Sequence, residues 1–222
     1  MGAVTEFAFI PLRPGTDIED ENISEGQIMA QMLAKGKIAP GVQANYWGKQ
    51  IDCSHFVHLL LDWDSLDAHK SYMARPDYGA FLAAAQSMVD PEKQAGLFHV
   101  PFQPHPPSGP LLSPLCEVIQ IYFPEDLTTD SQKEFTTSFG KFIEKLSGAQ
   151  VKGFTGNVSS GWALETVLKE GEAKKVFVGL FGWNGPESAS GFKSSGAYEE
   201  IAGAVLSYLS AAEVAYVIFK SP

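Results

Sequence analysis

His69 lies in the segment Leu66-Asp-Ala-His-Lys-Ser-Tyr-Met73, with Leu66, Tyr72 and Met73 three or four positions away. On a helix these residues share a side, so the imidazole points along or toward whatever that side packs against. A neutral imidazole there can take a proton, or pass one on, near pH 7. Its structural alternative is to close a hydrogen bond near the helix start. In the stretch Ala44-Asn-Tyr-Trp47, strand alternation puts Asn45 and Trp47 on one face and Ala44 and Tyr46 on the other. The Asn45 amide and the Trp47 indole N–H could meet the oxyanion of an enolate or phenolate, or they could serve only in edge packing. His69, Asn45 and Trp47 are therefore the candidate catalytic residues.

Tyr72, Tyr78, Tyr46, Trp63 and His58 are the candidates for contact with a ligand. His58 shares its strand face with Phe56 and Leu60, where an imidazole is either a satisfied core group or part of a pocket wall. His99, on a later apolar strand, has the same two readings. Trp63 has a counterpart, Trp183, in a segment without the histidine, which gives it a second role as a core anchor. The sequence has no phosphate loop, no dinucleotide-binding glycine pattern, no Gly-x-Ser-x-Gly turn and no His/Glu metal spacing. No metal is expected. Cys53 and Cys116 suit neither a disulfide scaffold nor a metal knuckle, and a reducing cytoplasm is the expected compartment.

The 222 residues carry a formal net charge of −10 and are 45% hydrophobic, enough to bury a sizeable core while repelling phosphate backbones. Nucleic acid and membrane are thus not expected partners. The start Met1 to Leu12 sets Glu6 in an alternating apolar pattern and reads as a strand, not a signal peptide.

Elements that would position these residues follow from periodicity. Val4 to Pro11, Val42 to Trp47, Phe56 to Asp62 and Leu97 to Phe102 read as strands, and the same order returns as Glu117 to Phe123, Gln150 to Thr155, Lys175 to Gly182 and Val214 to Phe219. A helix with Phe135, Phe139, Phe142, Ile143 and Leu146 on one face starts at a capping box of Thr129 with Gln132 and stops at Gly148. Its first-half partner carries Ile28, Met29, Met32 and Leu33, with Gly36 as the stop. Trp63 precedes Tyr78 by the same interval as Trp183 precedes Tyr198, and at that offset Leu60 meets Leu180 and Phe81 meets Ile201. Asn157 to Gly171 has no first-half counterpart and reads as a short helical insertion.

The expected fold is α+β: two tandem ferredoxin-like β-α-β-β-α-β repeats forming an intrachain dimeric α+β barrel. Residues 1–102 make the first repeat, 103–115 a Pro-rich linker, and 116–222 a second, degenerate repeat. The linker rests on six prolines between Pro101 and Pro114. In each half the third strand is apolar on both faces, so one face is left for the other half to cover.

The segment Asp62-Trp-Asp-Ser-Leu-Asp-Ala-His69, followed by Tyr72, Pro76 and Phe81, and preceded by Gly41 and Tyr46, resembles the antibiotic biosynthesis monooxygenase family of the dimeric α+β barrel superfamily. The likeness covers Val4 to Phe102; the second half follows through the repeat. It implies a cofactor-independent enzyme acting on an aromatic or polyketide-like small molecule, with oxygenation as the leading reaction. The alternatives are a non-catalytic small-molecule-binding or stress-related barrel, or cofactor-free cyclase, isomerase or lyase chemistry. No flavin or haem is expected, and a further homodimer is possible on this reading. The haem-degrading branch carries its axial His ten residues beyond His69, where this chain has Gly79. The second half departs from the pattern at Ala189, in place of His69, and at Lys193, in place of Met73.

Overall fold

The computed structural model describes residues 2–221, which divide into two compact units. Unit 1 runs β1 (Val4–Pro11), α1 (Ser24–Ile38), β2 (Val42–Lys49), β3 (Phe56–Trp63), α2 (Leu66–Met73), α3 (Tyr78–Gln86) and β4 (Gly96–Val100). Its strands form an antiparallel sheet in the order β2-β3-β1-β4. This is the split β-α-β arrangement.

Register sorts the side chains of unit 1. Val4 faces Trp63, Glu6 faces Leu61, Ala8 faces Leu59 and Ile10 faces Val57, and this face packs on Met29, Met32 and Leu33 of α1 and Leu66 of α2. Thr5, Phe7, Phe9, His58, Leu60 and Asp62 occupy the opposite face. The helices begin and end where side chains dictate. Ser65 caps α2 by accepting from the Ala68 amide at 3.1 Å, and Pro76 lies in the break between α2 and α3. Gly41 has φ +88°, and a Cβ there would stand 2.8 Å from the Ala68 Cβ, so the turn into β2 can press on α2 only as glycine. Gly36 does not stop α1, which continues to Ile38. It is a contact point instead: a Cβ at Gly36 would lie 2.8 Å from Asn45 Nδ2.

Unit 2 runs α4 (Ser108–Leu111), β5 (Leu115–Pro124), α5 (Thr129–Gly148), β6 (Phe154–Trp162), β7 (Val167–Lys169), β8 (Glu172–Trp183), α6 (Pro186–Lys193), α7 (Ala197–Ala202), α8 (Leu206–Ser210) and β9 (Glu213–Val217). The sheet order is β6-β8-β5-β9, with β7 added beside β8. Phe135, Phe139, Phe142 and Leu146 of α5 fill its core against Phe177, Phe181 and Trp183. The cap of α5 is Thr128, one residue before the expected Thr129; it accepts from the Ser131 amide at 3.1 Å.

Three expected features are corrected. The segment read as a helical insertion is strand: β6 continues to Trp162, and β7 and β8 form a hairpin in which Lys169 faces Glu172. Its two loop residues, Glu170 at φ +54° and Gly171 at φ +82°, have the left-handed backbone that a two-residue hairpin turn needs. Residues 103–115 are not a free linker, because Pro110 and Leu111 are buried, Gln103 pairs with Ser160, and β5 starts at Leu115. The chain from Phe219 onward returns to unit 1, where Lys220 pairs with Trp47 on β2.

Candidate active site

Four side chains of unit 1 meet on the helix-facing side of its sheet. Glu6 of β1 and His99 of β4 face each other across the strands, Trp63 closes β3, and His69 comes down from α2. Trp63 Nε1 donates to Glu6 Oε2 at 2.9 Å, and His69 Nε2 lies 3.4 Å from the same oxygen. The His69 Nδ1 and His99 Nε2 atoms are 2.7 Å apart, so one ring donates to the other. Trp63 stacks on His69 with centroids 4.6 Å apart, and Tyr72 and Tyr78 extend the aromatic wall toward Phe81.

His69 is 2% exposed, His99 3% and Glu6 7%. Burial pushes the Glu6 carboxyl above its usual range, while the Trp63 bond and the His99 charge pull it back. Glu6 protonated beside two neutral imidazoles carries the same net charge as Glu6 ionised beside one shared imidazolium proton. A proton can therefore move along Glu6, His69 and His99 without placing net charge in the core.

Unit 2 builds the same frame and fixes it. Trp183 Nε1 donates to Glu117 Oε2 at 2.9 Å, and register puts Tyr216 opposite Glu117 as it puts His99 opposite Glu6. At the His69 position stands Ala189, and the charge is met instead by Lys193, whose Nζ is 2.5 Å from Glu117 Oε1 and 3.0 Å from the Tyr216 hydroxyl. The paired carboxylate raises the Lys193 ammonium against the downward pull of burial. Lysine brings a fixed positive charge to its carboxylate, whereas an imidazole can be neutral or charged near pH 7.

Space differs in the same direction. In unit 1 a cavity of about 340 Å³ lies between the sheet and α1 and α3, walled by Ala8, Ile10, Met29, Met32, Val57 and Ala85 among others. Ala8 faces Leu97 as Glu6 faces His99, so the cavity wall ends one same-face residue pair from the carboxylate, roughly 7 Å along the strands. Beside Glu117 and Trp183 the void is about 20 Å³.

Solved structures share this architecture over the whole chain. An anthrone oxidase-like protein superposes with a TM-score of 0.66 at 13% identity, covering 100% of this chain and 94% of its own. The chain shares the fold of that protein, with the same four-stranded sheet order in each of its two units. A protein from Fusobacterium nucleatum provisionally named a monooxygenase aligns at 0.58 with 9% identity, over 97% of this chain and 91% of its own. One from Lactobacillus acidophilus, with the same provisional name, aligns at 0.55 with 9% identity, over 99% and 94%. Neither a protein-family model nor a curated protein matches the sequence.

Within this fold the expected site residues separate. His69, Trp63, Tyr72 and Tyr78 gather around Glu6. Asn45 faces the helices too, but its Nδ2 donates to the Leu33 carbonyl of α1 at 3.3 Å and its Oδ1 is buried without a partner. Trp47 packs with Met29, Met32 and Val57, under the Lys220 ammonium at 4.9 Å, away from His69. Tyr46 and His58 lie on the opposite face of the sheet, where Tyr46 pairs with Leu60 and His58 edges onto Phe7. Both His58 ring nitrogens are buried without partners, and burial lowers its pKa to about 4. Glu6 and Glu117 were not among the candidates. The signal for them was an acid on the inward phase of each half's first strand, repeated in both. Among the described residues no group of His, Cys, Asp and Glu could hold a metal ion, and no helix is long and apolar enough to cross a membrane.

Proposed function

We propose that this protein is a cofactor-independent oxygenase of the antibiotic biosynthesis monooxygenase type, acting on an aromatic or polyketide-like small molecule in unit 1. The observation that carries the reading is the pairing of a hydrogen-bonded cluster of Glu6, His69 and His99 with an adjacent apolar cavity in unit 1, set against a carboxylate paired with lysine beside a void of about 20 Å³ in unit 2. His69 has Glu6 at one ring nitrogen and His99 at the other, so its role is that of a proton shuttle. A substrate with an acidic C–H, such as anthrone, loses that proton to the cluster. The resulting enolate passes an electron to dioxygen, the two radicals combine at carbon, and the peroxide expels water. A methylene and one O₂ thus become a carbonyl and one H₂O, with the protons carried by the cluster.

Oxygen consumption with anthrone tests this directly. The expected result is protein-dependent uptake of one O₂ per quinone formed, reduced about a hundredfold by His69→Gln in protein that retains its fold. Binding without oxygen consumption, or uptake indifferent to His69→Gln, would leave the non-catalytic barrel as the better reading. That alternative has an observation in its favour: Glu6, His69 and His99 stand just beyond the cavity wall.

A further inference from the structure

The cavity of unit 1 exists because its strands carry small residues where those of unit 2 carry large ones. Val4 faces Trp63 in β1 and β3, and Leu115 faces Trp183 in β5 and β8, which sets the two registers side by side. Counting from these pairs, Ala8 corresponds to Ile119 and Val57 to Phe177. Ile119 is 5% exposed and Phe177 1%, with the Phe177 ring packed on Phe135, Phe139 and Trp162. One half has filled the space between sheet and helices, and the other holds about 340 Å³ open.

The chemistry of the wall states what can occupy it. It is made of branched aliphatic side chains, alanines and the thioethers of Met29, Met32 and Met88; Gln86 alone offers a polar side chain, and no charged residue takes part. Thioethers on three rotatable bonds adapt to an irregular guest, and the Gln86 amide can both donate and accept one hydrogen bond. A carboxylate in such a wall would lose its hydration with no cation to replace it. Leu82 and Leu97, 40% and 47% exposed, extend the apolar lining to the surface.

We infer that this cavity binds one uncharged apolar small molecule, up to the size of a short lipid or a three-ring aromatic, and selects it over the carboxylate analogue. The inference deepens the proposed oxygenase reading by naming the charge class of its ligand, yet it needs no proton transfer.

The test uses the full-length protein at pH 7.5 and two matched pairs of probes, 1-decanol with decanoate and 2-naphthol with 2-naphthoate, followed by native mass spectrometry and calorimetry. The expected result is that each neutral probe binds at least tenfold tighter than its carboxylate. The unit 2 residues transplanted as Ala8→Ile and Val57→Phe should weaken the neutral probes tenfold or more without lowering the melting temperature. Ala85→Met, a milder filling from α3, serves if either transplant fails to fold. Equal binding of neutral and charged probes overturns the inference, as does the absence of neutral binding, or neutral binding unchanged by every folded filling variant. His69→Gln should bind the neutral probes like the parent. Intact binding with no oxygen uptake from any substrate would sink the oxygenase reading and leave this one standing.

Discussion

Trp63 donates its indole proton to Glu6 at 2.9 Å, and the same bond recurs between the halves' equivalent residues, Trp183 and Glu117, at the same length. A carboxyl group on the inward face of a strand is costly to bury, and an indole N–H is one of few core-compatible donors that can meet it. The repeat has kept the pair and changed what lies on its other side. In unit 1 that difference has a pH signature. Because burial raises the Glu6 pKa in the folded state, its contribution to stability is fully present below the unfolded value of 4.5 and is lost as pH rises through the folded value. Glu6→Gln has no proton to lose. Its stability relative to the parent should therefore rise as pH is taken from 4.5 to 8, measured by denaturant unfolding. A difference independent of pH would show that Glu6 titrates normally.

In unit 2 the carboxylate depends on Lys193. Replacing Lys193 with Met, the residue at the matching position 73, leaves Glu117 buried with only Trp183 and Tyr216 as partners. Since the Lys193 side chain is 32% exposed, the expected loss is about 2–4 kcal/mol, at or below the usual range for breaking a buried pair. The double variant Glu117→Gln, Lys193→Met should recover most of it. Additive losses in that cycle would mean the two groups are not coupled.

His58 gives a second pH signature, of opposite sign. Its pKa falls from 6.5 to about 4 because burial disfavours the imidazolium, so the stability it contributes is present above pH 6.5 and is lost as pH falls toward 4. At 1.36 kcal/mol per unit the full window amounts to about 3 kcal/mol. His58→Leu should remove that slope, and at pH 4.5 the variant should stand closer to, or above, the parent than at pH 7.5. Equal slopes between pH 7.5 and 4.5 for parent and variant would mean that His58 is solvated in solution.

The sequence-based expectations held where local pattern and burial agree, and failed where a side chain's partner is remote. Val4 to Pro11 was expected as a strand and is one, because its β-branched and aromatic residues are covered on both faces. His69 was singled out because the repeat lost it at Ala189 while keeping Trp63 as Trp183. Glu6 escaped notice because a single acid in an apolar strand has no local partner; Trp63 and His69 reach it only through the sheet register and the descent of α2. Asn45 and Trp47 were assigned a shared face, which they have, but α1 packs onto that face and occupies both. The hairpin at Glu170-Gly171 had Gly171 as its signal, but Leu164, Val167 and Leu168 are spaced as a helix would space them, three and four residues apart.

The contrast between the two carboxylate clusters can be tested by moving one into the other. Register and repeat offset give the exchange as His69→Ala, Met73→Lys and His99→Tyr, which would set a lysine and a tyrosine around Glu6 as Lys193 and Tyr216 stand around Glu117. The lysine supplies a permanent charge, so Glu6 should ionise at a lower pH than in the parent, and the folded protein should lose no more than about 1–2 kcal/mol relative to it. The proton that could shift along two imidazoles is gone. Turnover, where the parent shows it, should fall by about a hundredfold or more, the usual share of a positioned acid or base, while neutral ligands still enter the cavity formed by Ala8 and Val57. His69→Gln alone should cost nearly as much as the triple exchange, because members of one relay do not act additively. Were the folded triple variant to retain the parent's rate, the imidazole pair would be structural, and the difference between the halves would lie in the cavity alone.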